Sequence, residues 1–193
     1  MPFDIGIGII LSIAFAHFFG IDLSWVLVMF GVLVSLGPDI IDGLPRLKTM
    51  FSENAHKHRD GAHYPLYYII AGSIIVSLVL PWGLAGVFLF VLISVIHFLH
   101  DCIGVGWGIR MFYPFSKKYF KFFSPDLDLH NKRVSTYIST EKIISIWTKA
   151  DVQKINHIHG RKDWITWYYF KQSAGYVEWT VFLIGIWLLF VNI

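Results

Sequence analysis

Residues 84–101 read LAGVFLFVLISVIHFLHD, an apolar run that ends in two imidazoles and a carboxylate. Its length and hydropathy predict a membrane-spanning helix. On a helix, His97 lies three residues before His100 and four before Asp101, so all three side chains share one face. Ionisable groups at membrane depth are costly unless they face a protein interior, pair with one another or bind an ion. The stretch therefore predicts a membrane protein and, within it, a metal or proton site.

The composition and the charge pattern of the whole chain agree with a membrane location. The 193 residues are 55% hydrophobic and only 15% charged, and the mean hydropathy is +0.58. All 16 Lys and Arg residues fall in segments 38–64 and 104–175. This clustering is the positive-inside pattern of a multi-pass membrane protein and not the footprint of a nucleic-acid-binding protein. Both segments are therefore predicted to be cytoplasmic.

The apolar runs predict an all-α integral membrane protein with a single domain over 1–193. The N-terminus lacks the basic region of a cleavable signal peptide, so the first run is expected to stay as an anchor. Two hairpins return the chain to the same side, which puts both basic segments on one face. About five spans are predicted, at 3–19, 23–37, 65–80, 84–103 and 176–192.

The long basic segment is expected to lie along the membrane surface. Residues 110–123 mix aromatic side chains with lysines at close spacing, which suits the lipid headgroup region. Apolar residues at roughly helical spacing predict a helix over 140–159, and residues 163–171 predict a second, interfacial helix before the last span. Membrane lipid is the expected partner of these pieces.

Three clusters of acids and histidines lie at predicted helix ends that share one membrane depth. They are the carboxylates after Pro38, the imidazoles of segment 56–63, and the motif at 97–101. Carboxylates mixed with imidazoles are ligands that suit Zn, Mn or Fe, as one ion or two. The predicted metal ligands are Asp39, Asp42, His58, His63, His97 and Asp101.

Four more residues are candidates for a supporting role. His100 and His56 are close to the ligand pattern and are predicted to act as general acid or base, or to hold a ligand in place. Arg59 either binds a substrate phosphate or only follows the charge rule. Glu178, the one acid of the last span, needs a partner, either a metal ion or a basic side chain, unless it reaches the membrane surface.

At these residues the sequence resembles the YdjM-type inner-membrane metal-dependent hydrolases, described as LexA-regulated in some bacteria. The likeness covers about residues 25–120. The resemblance implies a metal-dependent hydrolase located in the inner (cytoplasmic) membrane. Asp60 stands where glycine is common in that family, and Ala62-His63-Tyr64 replaces Thr-His-Ser. The matching motifs are Pro38-Asp39-Ile40-Ile41-Asp42, His58-Arg59-Asp60-Gly61-Ala62-His63, His97 to Asp101, Gly104 to Gly108, and Tyr113-Pro114-Phe115-Ser116.

The expected function is hydrolysis of a lipid or lipid-linked phosphoester at the cytoplasmic face. Three alternatives stay open at this stage. A b-type haem carrier would use histidines from facing helices, although haem prefers histidines without adjacent carboxylates. A membrane di-iron oxidase would need denser histidine boxes. In a non-catalytic membrane scaffold, the same residues would only cap helices and pair charges.

Overall fold

The structure is a computed structural model that describes residues 1–43, 59–103, 108–124, 142–153, 164–171 and 173–193. Helices dominate these ranges, which confirms the predicted all-α membrane fold, and one two-stranded sheet was not predicted. The elements are α1 (Pro2–Phe19), α2 (Trp25–Gly43), α3 (Pro65–Val79), α4 (Gly83–Cys102), β1 (Tyr119–Ser124), β2 (Lys142–Trp147), α5 (Trp164–Lys171) and α6 (Ser173–Asn192).

Four of the helices, α1, α2, α4 and α6, are long and apolar enough to cross a membrane. The fifth apolar helix, α3, has 15 residues. A helix of that length measures about 22 Å, less than the hydrocarbon thickness of about 30 Å. The five apolar segments thus form helices where the sequence predicted spans, whereas five complete spans stay a prediction.

The first helix, α1, packs against α2, α4 and α6. Where it meets α6, a Cβ atom added at Gly6 would lie 2.6 Å from the carbonyl oxygen of Val181. Where it meets α2, a Cβ atom at Gly8 would lie 2.7 Å from the carbonyl oxygen of Gly31. Small residues let helix backbones approach closely, and this packing holds helices together in lipid. Gly6 and Gly8 therefore allow the beginning of α1 to pack closely inside the bundle.

The second helix continues through Pro38 to Gly43, beyond the end at 37 that was predicted for this span. Proline has no N–H group, so the carbonyl of Val34 loses its helical donor. The Tyr68 hydroxyl of α3 donates to that carbonyl at 3.5 Å. The absence of a side chain at Gly37 leaves room for Tyr68. The added turn of α2 carries Asp39 and Asp42, so both carboxylates are held by a helix.

The extramembrane part contains an antiparallel hairpin, in which Tyr119 of β1 lies opposite Trp147 of β2. The helix predicted over 140–159 is wrong across Lys142–Trp147. Isoleucines, which favour strands, occupy half of that stretch, and pairing with β1 outweighs their approximate helical spacing. Phe122 of β1 packs against Phe98 and Cys102 at the end of α4, so the hairpin joins the bundle at that end.

The helix predicted over 163–171 is present as α5. Its position in the membrane interface, like that of residues 110–123, stays a prediction.

Candidate metal centre

His63 lies in the loop before α3 and is held by the end of α2. The Asp42 oxygen Oδ2 accepts the backbone N–H of His63 at 3.1 Å and lies 3.0 Å from its ring nitrogen Nδ1. Gly61 has φ 107°, and a Cβ atom there would lie 2.7 Å from Asp42 Oδ1. A glycine is therefore needed at position 61 for two reasons, the positive φ and the close approach of Asp42. With Nδ1 paired to Asp42, His63 presents Nε2 to other groups.

His97 of α4 repeats this arrangement with a carboxylate from another helix. Its Nδ1 lies 3.0 Å from Oδ1 of Asp4 in the first turn of α1, and both side chains are almost completely buried. The other ring nitrogen, His97 Nε2, is also buried and has no hydrogen-bond partner among the residues that the structure describes. A buried polar atom without a partner is rare in folded proteins and marks a position for a ligand, ion or water.

The two imidazoles present their Nε2 atoms to the same buried region as two carboxylates. His63 Nε2 lies 3.3 Å from Asp39 Oδ1 and 3.3 Å from Asp101 Oδ2, and His97 Nε2 lies 3.6 Å from the same Asp101 oxygen. One ligand atom each from Asp39, His63 and His97 lies within 4.8 Å of the others. Ligand atoms of a tetrahedral zinc ion, with bonds of about 2.0–2.2 Å, are about 3.3–3.6 Å apart. The spacing fits one small divalent cation.

Arg59 fixes Asp101 from the loop side. Its NH2 group donates to Asp101 Oδ1 at 2.8 Å, and its NH1 group donates to the Asp101 backbone carbonyl at 3.0 Å. This leaves Asp101 Oδ2, a buried atom without a hydrogen-bond partner in the described part of the chain, facing the two imidazoles. The guanidinium therefore orients the carboxylate toward the candidate ion.

The electrostatics of the centre favour a cation there. Burial alone would lower the pKa of His63, but the nearby carboxylates of Asp101, Asp39 and Asp42 outweigh it and hold this pKa well above its usual value. The carboxylates thus stabilise positive charge at His63. A metal ion would compete with the proton for the same nitrogen.

Access to the centre differs among the four side chains. The Asp39 side chain is 28% exposed, while those of His63, His97 and Asp101 are between 0% and 8% exposed. Asp39 is therefore the most solvent-accessible of the four side chains.

A second acid–histidine group lies beside the centre. His100 Nε2 is 3.5 Å from Glu178 Oε1 of α6, and His100 Nδ1 is 3.7 Å from Asp4 Oδ1. The ring of Phe3 stacks on the imidazole at 4.2 Å between centroids. The Met1 ammonium lies 2.9 Å from Asp4 Oδ2 and 3.5 Å from Glu178 Oε2. Glu178 therefore has basic partners inside the bundle, as one of the three predicted alternatives requires.

Lys121 of β1 is a buried lysine near the same end of the bundle. Burial, reinforced by the charge of Arg59, lowers the pKa of Lys121 to about 7. The ammonium lies 5.7 Å from the Trp147 ring centroid. The hairpin thus places an amine that can lose its charge near neutral pH beside the loop side of the centre.

The family description "YdjM inner membrane protein" matches residues 4–193, nearly the whole chain. The chain belongs to the YdjM family. The predicted resemblance is confirmed, and this YdjM family member is an inner-membrane protein. No curated protein and no solved structure matches the chain.

Most of the predicted site of this YdjM protein comes together. Asp39, His63 and His97 come together as a group that could hold an ion, and Asp101, bound by Arg59, contacts the two histidines. Asp42 contacts Nδ1 of His63, on the other side of the ring from Nε2, so direct ligation by Asp42 stays a prediction. The same holds for His100 as an acid or base. His56 and His58 lie outside the described residues.

Asp4 is the residue that the sequence analysis missed. A signal was available, because an acid in the first turn of an apolar helix is costly in a membrane unless it has a partner. Its partner, His97, lies 93 residues away along the chain. No local pattern connects two such positions.

Proposed function

We propose that this protein is a membrane-embedded metal-dependent hydrolase that cleaves a phosphoester of a lipid or lipid-linked molecule at the cytoplasmic face. One observation carries the proposal: ligand atoms of Asp39, His63 and His97 lie within 4.8 Å of one another, and Asp101 Oδ2 lies 3.3 Å and 3.6 Å from the Nε2 atoms of the two histidines. Two of the four ligand atoms, His97 Nε2 and Asp101 Oδ2, are buried without a hydrogen-bond partner among the described residues.

The donor set fits a divalent cation. Two carboxylates and two neutral imidazoles carry two negative charges, which a divalent ion neutralises, and mixed oxygen and nitrogen donors suit Zn, Mn or Fe. The chemistry that such an ion supplies is Lewis-acid stabilisation of charge on a phosphoryl oxygen and acidification of water.

The chain's own residues account for the rest of the site. Asp42 holds His63 and Arg59 holds Asp101, so the ligands are oriented before a substrate arrives. Asp39 lines the accessible side. A membrane-anchored substrate reaches this end of the bundle without leaving the bilayer. The guanidinium groups of Arg59 and Arg110 favour an anionic headgroup there.

The position of Asp101 disfavours the haem alternative. Its Oδ2 lies 3.3 Å and 3.6 Å from the Nε2 atoms of His63 and His97. A porphyrin held by both histidines would need the space between the Nε2 atoms of His63 and His97. The scaffold alternative makes a different prediction, that no metal is bound, and the experiment below separates it from the hydrolase.

The test begins with metal analysis of the purified full-length protein. We expect stoichiometric Zn, Mn or Fe, with metal content strongly reduced in His63→Ala and unchanged in the control Asp22→Asn, which changes an exposed acid between α1 and α2. Phospholipids and lipid-linked phosphates are then screened for chelator-sensitive release of the headgroup or phosphate. A protein that binds no metal would exclude the proposal, and a metal-loaded protein inactive on every phosphoester would exclude the hydrolase assignment.

A further inference from the structure

We propose that Asp4 is a positioning residue for the metal centre, which accepts a hydrogen bond from Nδ1 of His97 so that Nε2 of the same ring is presented to the ion. The proposal rests on the proposed function. It adds a role for the first helix, since none of the ligands predicted from the sequence lies in α1.

The geometry at Asp4 matches the geometry at Asp42. Asp4 Oδ1 lies 3.0 Å from His97 Nδ1, and Asp42 Oδ2 lies 3.0 Å from His63 Nδ1. Both contacts are buried, and both leave Nε2 directed at Asp101. Metal-binding histidines usually donate their second ring N–H to a carboxylate, carbonyl or water, which sets the tautomer and the orientation of the ring. The two acid–histidine pairs have this form.

The surroundings of Asp4 explain why a carboxylate is retained at the start of an apolar helix. Gly6 and Gly8 bring α1 into close contact with α6 and α2, so the side chain of residue 4 is buried beside α4. Asp4 Oδ1 is the oxygen shared by His97 and, at 3.7 Å, His100. A neutral, non-accepting side chain would leave His97 Nδ1 without a partner and let the ring turn.

The test uses Co²⁺ as the probe on the purified full chain, with affinity measured by titration and ligand geometry by the visible absorption of the bound ion. Asp4→Ala is expected to weaken Co²⁺ binding by about 10–100-fold and to change the spectrum. Asp4→Asn retains an accepting oxygen, and its Co²⁺ affinity is expected to lie between those of Asp4→Ala and the wild type. Asp22→Asn, an exposed acid, serves as the matched control and should bind like the wild type.

The results separate the role of Asp4 from the proposed function. Wild-type affinity and spectrum in a folded Asp4→Ala variant would overturn the role of Asp4 and leave the proposed function intact. Absence of Co²⁺ and Zn²⁺ binding by the wild type would instead overturn the proposed function. If Asp4→Ala does not fold, Asp4→Asn decides: a loss of about 3-fold or more supports positioning, because a charged acceptor is the stronger one, and unchanged affinity refutes it.

Discussion

The hydroxyl of Tyr68 lies 3.5 Å from the carbonyl oxygen of Val34, the carbonyl that Pro38 leaves without a helical donor. This contact links α3 to the last turns of α2, which carry Asp39 and Asp42. A helix that continues through proline needs another donor for the freed carbonyl. Tyr68 provides one and thereby stabilises the part of α2 that holds two acids of the candidate centre.

Tyr68→Phe should lower stability by about 0.5–1.5 kcal/mol, the usual net value of one hydrogen bond. Thermal unfolding in detergent measures the change, with Tyr67→Phe, an exposed tyrosine of the same helix, as the control. We also expect weaker metal binding, because the end of α2 becomes less ordered. Equal melting temperatures for the two variants would show that the Tyr68 contact has no energetic role.

Gly61→Ala should destabilise the protein and also reduce metal affinity. The added Cβ atom would lie 2.7 Å from Asp42 Oδ1, which displaces the carboxylate that orients His63. Gly83→Ala is the matched control, because Gly83 also has a positive φ but no atom within 4 Å of its Cβ position. Gly83→Ala should lose about 1 kcal/mol of stability from its left-handed backbone conformation, and Gly61→Ala should lose more, because φ 107° lies outside the left-handed region that alanine can adopt. Only Gly61→Ala should lose metal affinity, as measured by Co²⁺ titration.

Arg59→Lys should weaken metal binding, because an ammonium does not reproduce the two-point contact with the side chain and carbonyl of Asp101. We expect about a 10-fold loss, typical of removing a group that orients a ligand. Arg110→Lys is the comparison: Arg110 donates to the hydroxyls of Tyr64 and Tyr119, so this variant should lose stability and keep its metal affinity. Equal metal affinities of the two variants would contradict the assignment of Arg59.

The buried Lys121 predicts that stability rises with pH. Its pKa falls from 10.5 to about 7 on folding, so between these values the unfolded chain binds a proton that the folded chain lacks. The free energy of unfolding therefore increases from pH 7 toward pH 10. Below pH 7 the lysine is protonated in both states, and the full cost of burying its charge is present. Lys121→Met should flatten that part of the pH profile and stabilise the protein at pH 6, by at most about 5 kcal/mol.

Melting temperatures between pH 6 and pH 9.5 measure this effect. Lys118→Met changes an exposed lysine next to the same strand and should leave the profile as in the wild type. A Lys121→Met profile with the wild-type slope would show that Lys121 does not cause the pH dependence.

Several features followed from the sequence alone. Hydropathy located all five apolar helices, because the need to bury backbone polar groups in lipid turns long apolar runs into helices. Acids and histidines at helix ends identified Asp39, His63, His97 and Asp101, because ionisable groups near a membrane are rare without a function. These inferences depend only on residues close together along the chain.

Other features depended on tertiary structure. The pairing of Asp4 with His97, the place of Asp42 behind His63 and the hairpin of β1 with β2 join residues distant in sequence. Their neighbours are set by packing, such as the glycine contacts that bring α1 between α2 and α6. Hydropathy predicts that a helix lies in the membrane, but it does not predict which helices contact each other. The sequence alone therefore determined which residues could bind a metal ion, and only the packing of α1 decided which carboxylate orients His97.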